Sequence, residues 1–286
     1  MMDQPQIGEE QLGEEQPQEM SFVDHLEELR WHLIRALASI LVFATIAFLA
    51  KSFVFHDIIL APSRTDFLSY RVMCDIGNYI GSDVLCVTEM GFTIQSRQMS
   101  GQFTMHLLVS VLLGLACAFP YAFWEIWRFV KPGLYPQEQK NSQGAVFFVS
   151  ILFVMGLLFG YYVVSPISIN FLAGYQVDPT IINEFDLSSY ISTLTTLCLA
   201  CAFMFEMPVI VFFLTKAGLI TAETMKLYRR HAFVIILVVG AIITPPDVIS
   251  QLLISMPLML LYEVSINISK SIRKRDLKNL NENNTI

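Results

Sequence analysis

Charged side chains are scarce in this chain. Asp, Glu, Lys and Arg make up 15% of its 286 residues, where a soluble domain carries about 25%. With 54% hydrophobic residues and a mean hydropathy of +0.55, the scarcity excludes an ordinary soluble domain and indicates an integral membrane protein. Residues 1–20 lack Lys and Arg altogether but hold six acids, and without them the net charge falls from −7 to −1. This tail repeats GEEQ at 8–11 and 13–16 and is nearly free of apolar residues. It reads as disordered and solvated. Having neither a basic n-region nor an early apolar run, it is not a secretory signal. Catalytic motifs are missing too: GxSxG, HExxH and paired aspartates within apolar runs do not occur, which argues against a membrane-embedded hydrolase. His25 and His32 stand seven apart without a Cys or carboxylate arrangement that suggests a metal, so no metal ligands are assigned.

What the chain does have is long apolar runs. Six stand out, at about 33–55, 103–126, 145–165, 191–215, 232–244 and 249–266. The first four are long enough for a hydrocarbon core of about 30 Å at 1.5 Å per residue. The fifth reaches only about 20 Å. The sixth contains Pro257, and "TPPDV" joins the two as a tight reversal. Six spans place both termini on one side. Fourteen of the eighteen Lys and Arg residues fall in the segments on that side, and the second outer loop, about 166–190, has none. The positive-inside rule therefore predicts cytoplasmic N and C termini, with 269–286 as a basic, polar cytoplasmic tail.

Polar residues inside these runs are few. Glu206 lies within the fourth, "LACAFMFEMPVIVFFLT", and a carboxylate at the centre of a bilayer costs about 3 kcal/mol on insertion scales. Such a group suggests the proton site of an ion-coupled carrier. Against that, the fourth span holds no second acid, His or Lys, and the halves of the chain show no clear repeat. Pro120, Pro208 and Pro257 each tend to kink a helix and leave a carbonyl unpaired. Cys117, Cys198 and Cys201 read as small buried thiols. Cys74 and Cys86 share the long first outer loop, about 56–102, where they are either bonded or free.

The inner face carries two acidic segments. In "SFVDHLEELRWHLIR" (21–35), Phe22, Leu26, Leu29 and Leu33 recur on one helix face, predicting an amphipathic helix at the membrane surface ahead of the first span. In "WRFVKPGLYPQEQK" (127–140), Pro132-Gly133 and Pro136 break any helix. Glu28 and Glu138 can thus both reach one membrane face, as solvated acids or as acceptors for an arginine fork.

"DHLEELRWHL" (24–33), "FVKPGLYPQE" (129–138), "FMFEMP" (203–208) and "TPPDVISQ" (244–251), in that order, resemble the TatC family, the multispanning core of the twin-arginine protein translocase. The resemblance covers about 21–268. It implies an all-α integral membrane protein whose six transmembrane helices form a concave, cupped bundle, the fifth and sixth short. It further implies capture of signal peptides bearing paired arginines, and assembly in several copies with TatA- and TatB-type single-span proteins. Folded cargo would be exported across the bacterial inner membrane on the protonmotive force, with no cofactor, nucleic acid or covalent chemistry. By the resemblance, Glu28 and Glu138 are the signal-binding carboxylates, Phe129 an aromatic linked to signal recognition, and Arg30 the arginine of the first helix. Glu206 matches the family's glutamate within the fourth span and is read as a partner contact, Asp247 and Gln251 match positions for partner assembly, and Pro62 matches a first-loop proline; Pro132 and Pro208 are read as structural. Pro136 and Gln137 depart from the family's usual residues, and the long first loop with its Cys pair lies outside the family pattern.

Overall fold

The computed structural model describes residues 22–81, 86–131, 144–178, 180–243 and 248–283. Glu138, Pro132 and Asp247 lie outside these residues, as does the acidic tail. The chain is mostly helical. Among the described residues, five helices are long and apolar enough to cross a membrane, at Glu27–Leu49, Gly101–Val130, Ala145–Gly174, Leu187–Lys216 and Gln251–Lys274.

The first helix, α1 (Phe22–Leu49), absorbs both the expected amphipathic segment and the first apolar run. No Gly or Pro interrupts residues 22–49, so nothing separates a surface helix from a spanning one. The helix stops at Leu49, short of the expected Phe55. A π turn (Val54–Ile59) and a 3₁₀ turn (Ala61–Ser63) follow, and the first outer loop then forms helix α2 (Leu68–Ile80), ended by Gly81 at φ +77°. Tyr70 of α2 is buried, its hydroxyl 3.0 Å from the Pro62 carbonyl and 3.1 Å from that of Pro166. Pro62 therefore anchors the loop through its carbonyl. Cys74 and Cys86 are disulfide-bonded, which resolves their pairing.

Helix α3 (Gly101–Val130) runs antiparallel to α1. His106, near its start, stacks on Phe48 at 4.1 Å, while Glu125, near its end, bonds His32. The two helices meet where a Cβ on Gly114 would lie 2.6 Å from the Ala44 nitrogen. Helix α4 (Ala145–Gly174) contains a π segment, Gly160–Val164, and outlasts its expected end by nine residues. It crosses α5 (Leu187–Met204) at Gly156 and Gly160, where added Cβ atoms would meet the Cys201 carbonyl at 2.6 Å and the Cys198 Cα at 2.8 Å. Between apolar helices in lipid, small residues like these let backbones approach and replace the missing hydrophobic drive with close packing.

The expectation of purely α structure needs one correction. Strands β1 (Phe92–Gln95) and β2 (Asn183–Asp186) form a parallel pair, Phe92 opposite Asn183 and Gln95 opposite Asp186. The strands are short and lie in loops, so hydropathy does not mark them. Asp186 ends β2 and caps α5, accepting from the Ser188 and Arg97 backbone N–H groups at 2.9 and 3.2 Å. The Ser188 hydroxyl, together with those backbone bonds, holds its carboxyl below the usual aspartate range.

The fourth apolar run breaks into α5 and α6 (Met207–Lys216), with Phe205 and Glu206 between. Pro208 sits in the first turn of α6, where its missing N–H costs nothing. It therefore starts a helix, whereas Pro120 and Pro257 lie inside continuous ones. After the short α7 (Ala222–Leu227), α8 (Arg229–Ile243) has 15 residues, or about 22 Å. Helix α9 (Val248–Asn283) is not short: it continues far beyond the expected end at 266. Its extension is packed, with Ile266 and Ile272 buried, Thr215 donating to Ser269 at 3.0 Å, and Arg273 paired with Glu223 of α7. Much of 269–283 is thus helix and not an irregular tail. Arg229 of α8 also grips Glu263 through two bonds of 2.8 and 2.9 Å.

Large apolar side chains remain exposed along the spans, among them Leu37, Leu41 and Ile46 of α1 and Phe147, Phe148 and Ile151 of α4. Such extended apolar surface is suited to lipid. Cys198 and Cys201 are buried as expected, but Cys117 is exposed.

Gly156→Leu places a branched side chain against the α5 backbone and is expected to destabilise the fold by about 3 kcal/mol or more, read as a lower melting temperature and folded yield in detergent. Alkylation of the denatured, unreduced protein is expected to label three cysteines, Cys117, Cys198 and Cys201, and five after reduction; mass spectrometry counts them.

Candidate functional site

The polar end of α1 and the C-terminal end of α3 meet in one cluster. Glu125 is 1% exposed, yet both its oxygens are satisfied. Oε1 accepts from the Tyr121 hydroxyl at 2.8 Å, one turn back on α3, and Oε2 pairs with His32 Nδ1 at 2.6 Å across the helix boundary. The Arg35 guanidinium stands 3.9 Å from Oε2. A carboxylate so buried needs its hydrogen bonds to offset desolvation, and the partners come from both helices.

Two sequence-predicted residues adjoin this cluster. Glu28 is half-exposed, with its Oε1 4.0 Å from His32 Nε2. The spacing of four places it one helical turn from His32 on the same face. Phe129 lies one turn beyond Glu125 on α3, its ring centroid 6.4 Å from that of His32. His32 therefore stands between Glu28 and Phe129. Arg30 points elsewhere: it pairs with Glu27 at 3.5 Å, both side chains exposed, and its guanidinium lies 5.7 Å from the Trp31 ring. Of the two adjacent acids, Glu27 has an arginine partner, and Glu28 has none among the described residues.

The second group lies elsewhere. Glu206 is 8% exposed at the α5–α6 break, and neither carboxylate oxygen has a hydrogen-bond partner among the described residues. Gln251 donates from Nε2 to the Leu237 carbonyl at 3.1 Å, tying α9 to α8. Among the described residues no cluster of His, Cys, Asp or Glu has metal-binding geometry.

Glu125 is the residue that the sequence reading overlooks. A signal was present: it is a lone acid in the apolar stretch "AFPYAFWEIW", the same anomaly that drew attention to Glu206.

The model of the family described as "Sec-independent protein translocase protein (TatC)" matches residues 24–257. The chain belongs to the TatC family. It is 37% identical over 259 residues to the TatC of Blattabacterium sp. subsp. Periplaneta americana, covering 90% of this chain and 97% of that one. It is 32% identical over 252 residues to the TatC of Aquifex aeolicus, covering 88% and 95%. Two crystal structures of a twin-arginine translocase receptor, TatC, align with TM-scores of 0.62 and 0.67 at 29% and 30% identity, each covering 86% of this chain and 98% or 99% of the other. TatC proteins are membrane receptors of a translocase, not enzymes, and work in a system with other Tat subunits.

Proposed function

We propose that this chain is the signal-peptide receptor and core subunit of a bacterial twin-arginine translocase. In this reading it crosses the inner membrane six times as a cupped bundle, α8 being the short fifth span, with both termini cytoplasmic. It binds paired-arginine signal peptides through Glu28 and Glu138, with Phe129 and Arg30 beside them. It assembles in several copies with TatA- and TatB-type single-span proteins through Glu206, Gln251 and Asp247, and exports folded proteins on the protonmotive force.

The observation that carries the reading is the placement of Glu28 within a chain of this family. Its neighbour Glu27 is already paired with Arg30, while Glu28 is half-exposed and has only the His32 imidazole at 4.0 Å as an ion partner among the described residues. It is an acceptor open to an arginine from outside. A guanidinium binds a carboxylate through two parallel hydrogen bonds, a geometry lysine does not copy. Hydrogen bonds to a charged group contribute about 1.5–3 kcal/mol each, so arginine contacts alone give weak binding, and the apolar part of the signal peptide must add contacts. The unsatisfied carboxyl of Glu206 supports a separate role: a donor on a partner's transmembrane helix would satisfy it.

Full-length protein in detergent is expected to capture an Arg-Arg signal peptide and not its Lys-Lys version. Glu28→Ala or Glu138→Ala should weaken capture about ten- to a hundred-fold, the range those bond energies imply; if both variants bind like the parent, the site assignment is wrong. Glu206→Gln should leave capture intact and reduce co-purification of TatA- and TatB-type subunits, and loss of capture in that variant would refute the division of roles.

A further inference from the structure

Glu28 and Glu27 are adjacent on one helical turn, yet Glu27 pairs with Arg30 and Glu28 lies 4.0 Å from His32. The difference lies in what stands behind it. His32 is 7% exposed and follows Glu28 by one turn. Its ring cannot turn freely: Nδ1 is held by Glu125 at 2.6 Å, and Phe129 flanks it at 6.4 Å between centroids, tilted by 56°. Glu125 is in turn held by the Tyr121 hydroxyl. Nδ1 is engaged by Glu125, so Nε2 is the nitrogen turned toward Glu28, and an imidazolium, with an N–H on both nitrogens, is the form that attracts both carboxylates.

We propose that His32 and Glu125 are positioning residues for arginine recognition. Glu125 locks the ring in the α1–α3 seam, and the locked imidazolium keeps the Glu28 carboxylate beside it and not swung out into water like Glu27. The inference rests on Glu28 being the signal-binding carboxylate. At 4.0 Å the Nε2–Oε1 contact is longer than a hydrogen bond. Glu28 is thus placed without being saturated, and its oxygens stay available to an incoming guanidinium. A preset acceptor matters more for an arginine fork than for an ammonium group. The fork needs two oxygens in one plane, whereas lysine needs only a nearby negative charge. The consequence is specific: loss of the device lowers selectivity for Arg-Arg over Lys-Lys, not general attraction to cations.

Two variants separate this role from a structural one. His32→Asn keeps a side-chain amide donor for Glu125 and removes the nitrogen that faces Glu28. Glu125→Leu keeps a side chain of similar size and removes the acceptor that fixes the imidazole. Peptide affinities are measured on full-length protein in detergent, with Arg-Arg and Lys-Lys versions of one signal peptide, alongside melting temperature. Each folded variant is expected to lose about tenfold in Arg-Arg affinity, equivalent to about 1.4 kcal/mol, with Lys-Lys binding unchanged. In a Glu28→Ala background, His32→Asn is expected to cause no further loss. Retention of the parent's Arg-Arg to Lys-Lys ratio in the folded variants overturns the inference, as does an undiminished loss in the Glu28→Ala background. A distinct result, Glu28→Ala binding like the parent, overturns the recognition reading itself.

Discussion

A carboxylate placed between apolar helices has to be satisfied by the helices themselves, and Glu125 shows how this constrains a bundle. Its two oxygens draw on Tyr121 from its own helix and on His32 from α1, 93 residues away in sequence. Removing either partner would leave a buried polar group uncompensated, at a cost of about 1–3 kcal/mol. The bond therefore sets the register of α1 against α3 at their polar end, as the Phe48–His106 stack does at the other. The orientation of the first turns of α1, and with it the setting of Glu28, follows from that register.

Glu206 is the instructive contrast. It too is a lone acid in an apolar run and is nearly as buried, but neither oxygen has a partner among the described residues. The first carboxylate is spent on internal cohesion, and the second is left with hydrogen-bonding capacity that no described residue uses. A helix break and a proline at the start of the following helix surround it, so the backbone at that level already departs from a simple span.

Elsewhere the bundle is held by proximity. Gly114 against Ala44, and Gly156 and Gly160 against Cys198, Cys201 and Ala202, bring helix backbones to distances at which a Cβ does not fit. Lipid tails are as apolar as leucine, so burial of leucine offers little reason for two spans to associate, and dispersion at short range supplies it. Longer connections are tied by polar contacts, such as Tyr70 with the Pro62 carbonyl and Arg229 with Glu263.

The sequence by itself determined where the apolar segments lie, the membrane class, and four ordered motifs whose resemblance to TatC the family comparison bears out. Hydropathy and motif order are local properties and survive without knowledge of contacts. The same locality explains the errors. Nothing in residues 22–49 marks where a surface helix would end, and the polar composition after 266 concealed a helix whose buried stripe depends on α6 and α7. The β pair joins segments about ninety residues apart. Only the tertiary structure decided which acid was internal, which cysteine was exposed, and that Glu28, His32, Glu125 and Phe129 share one seam. Those facts depend on the register between distant helices, which is set by glycine contacts and buried hydrogen bonds and leaves no periodic trace in either helix alone.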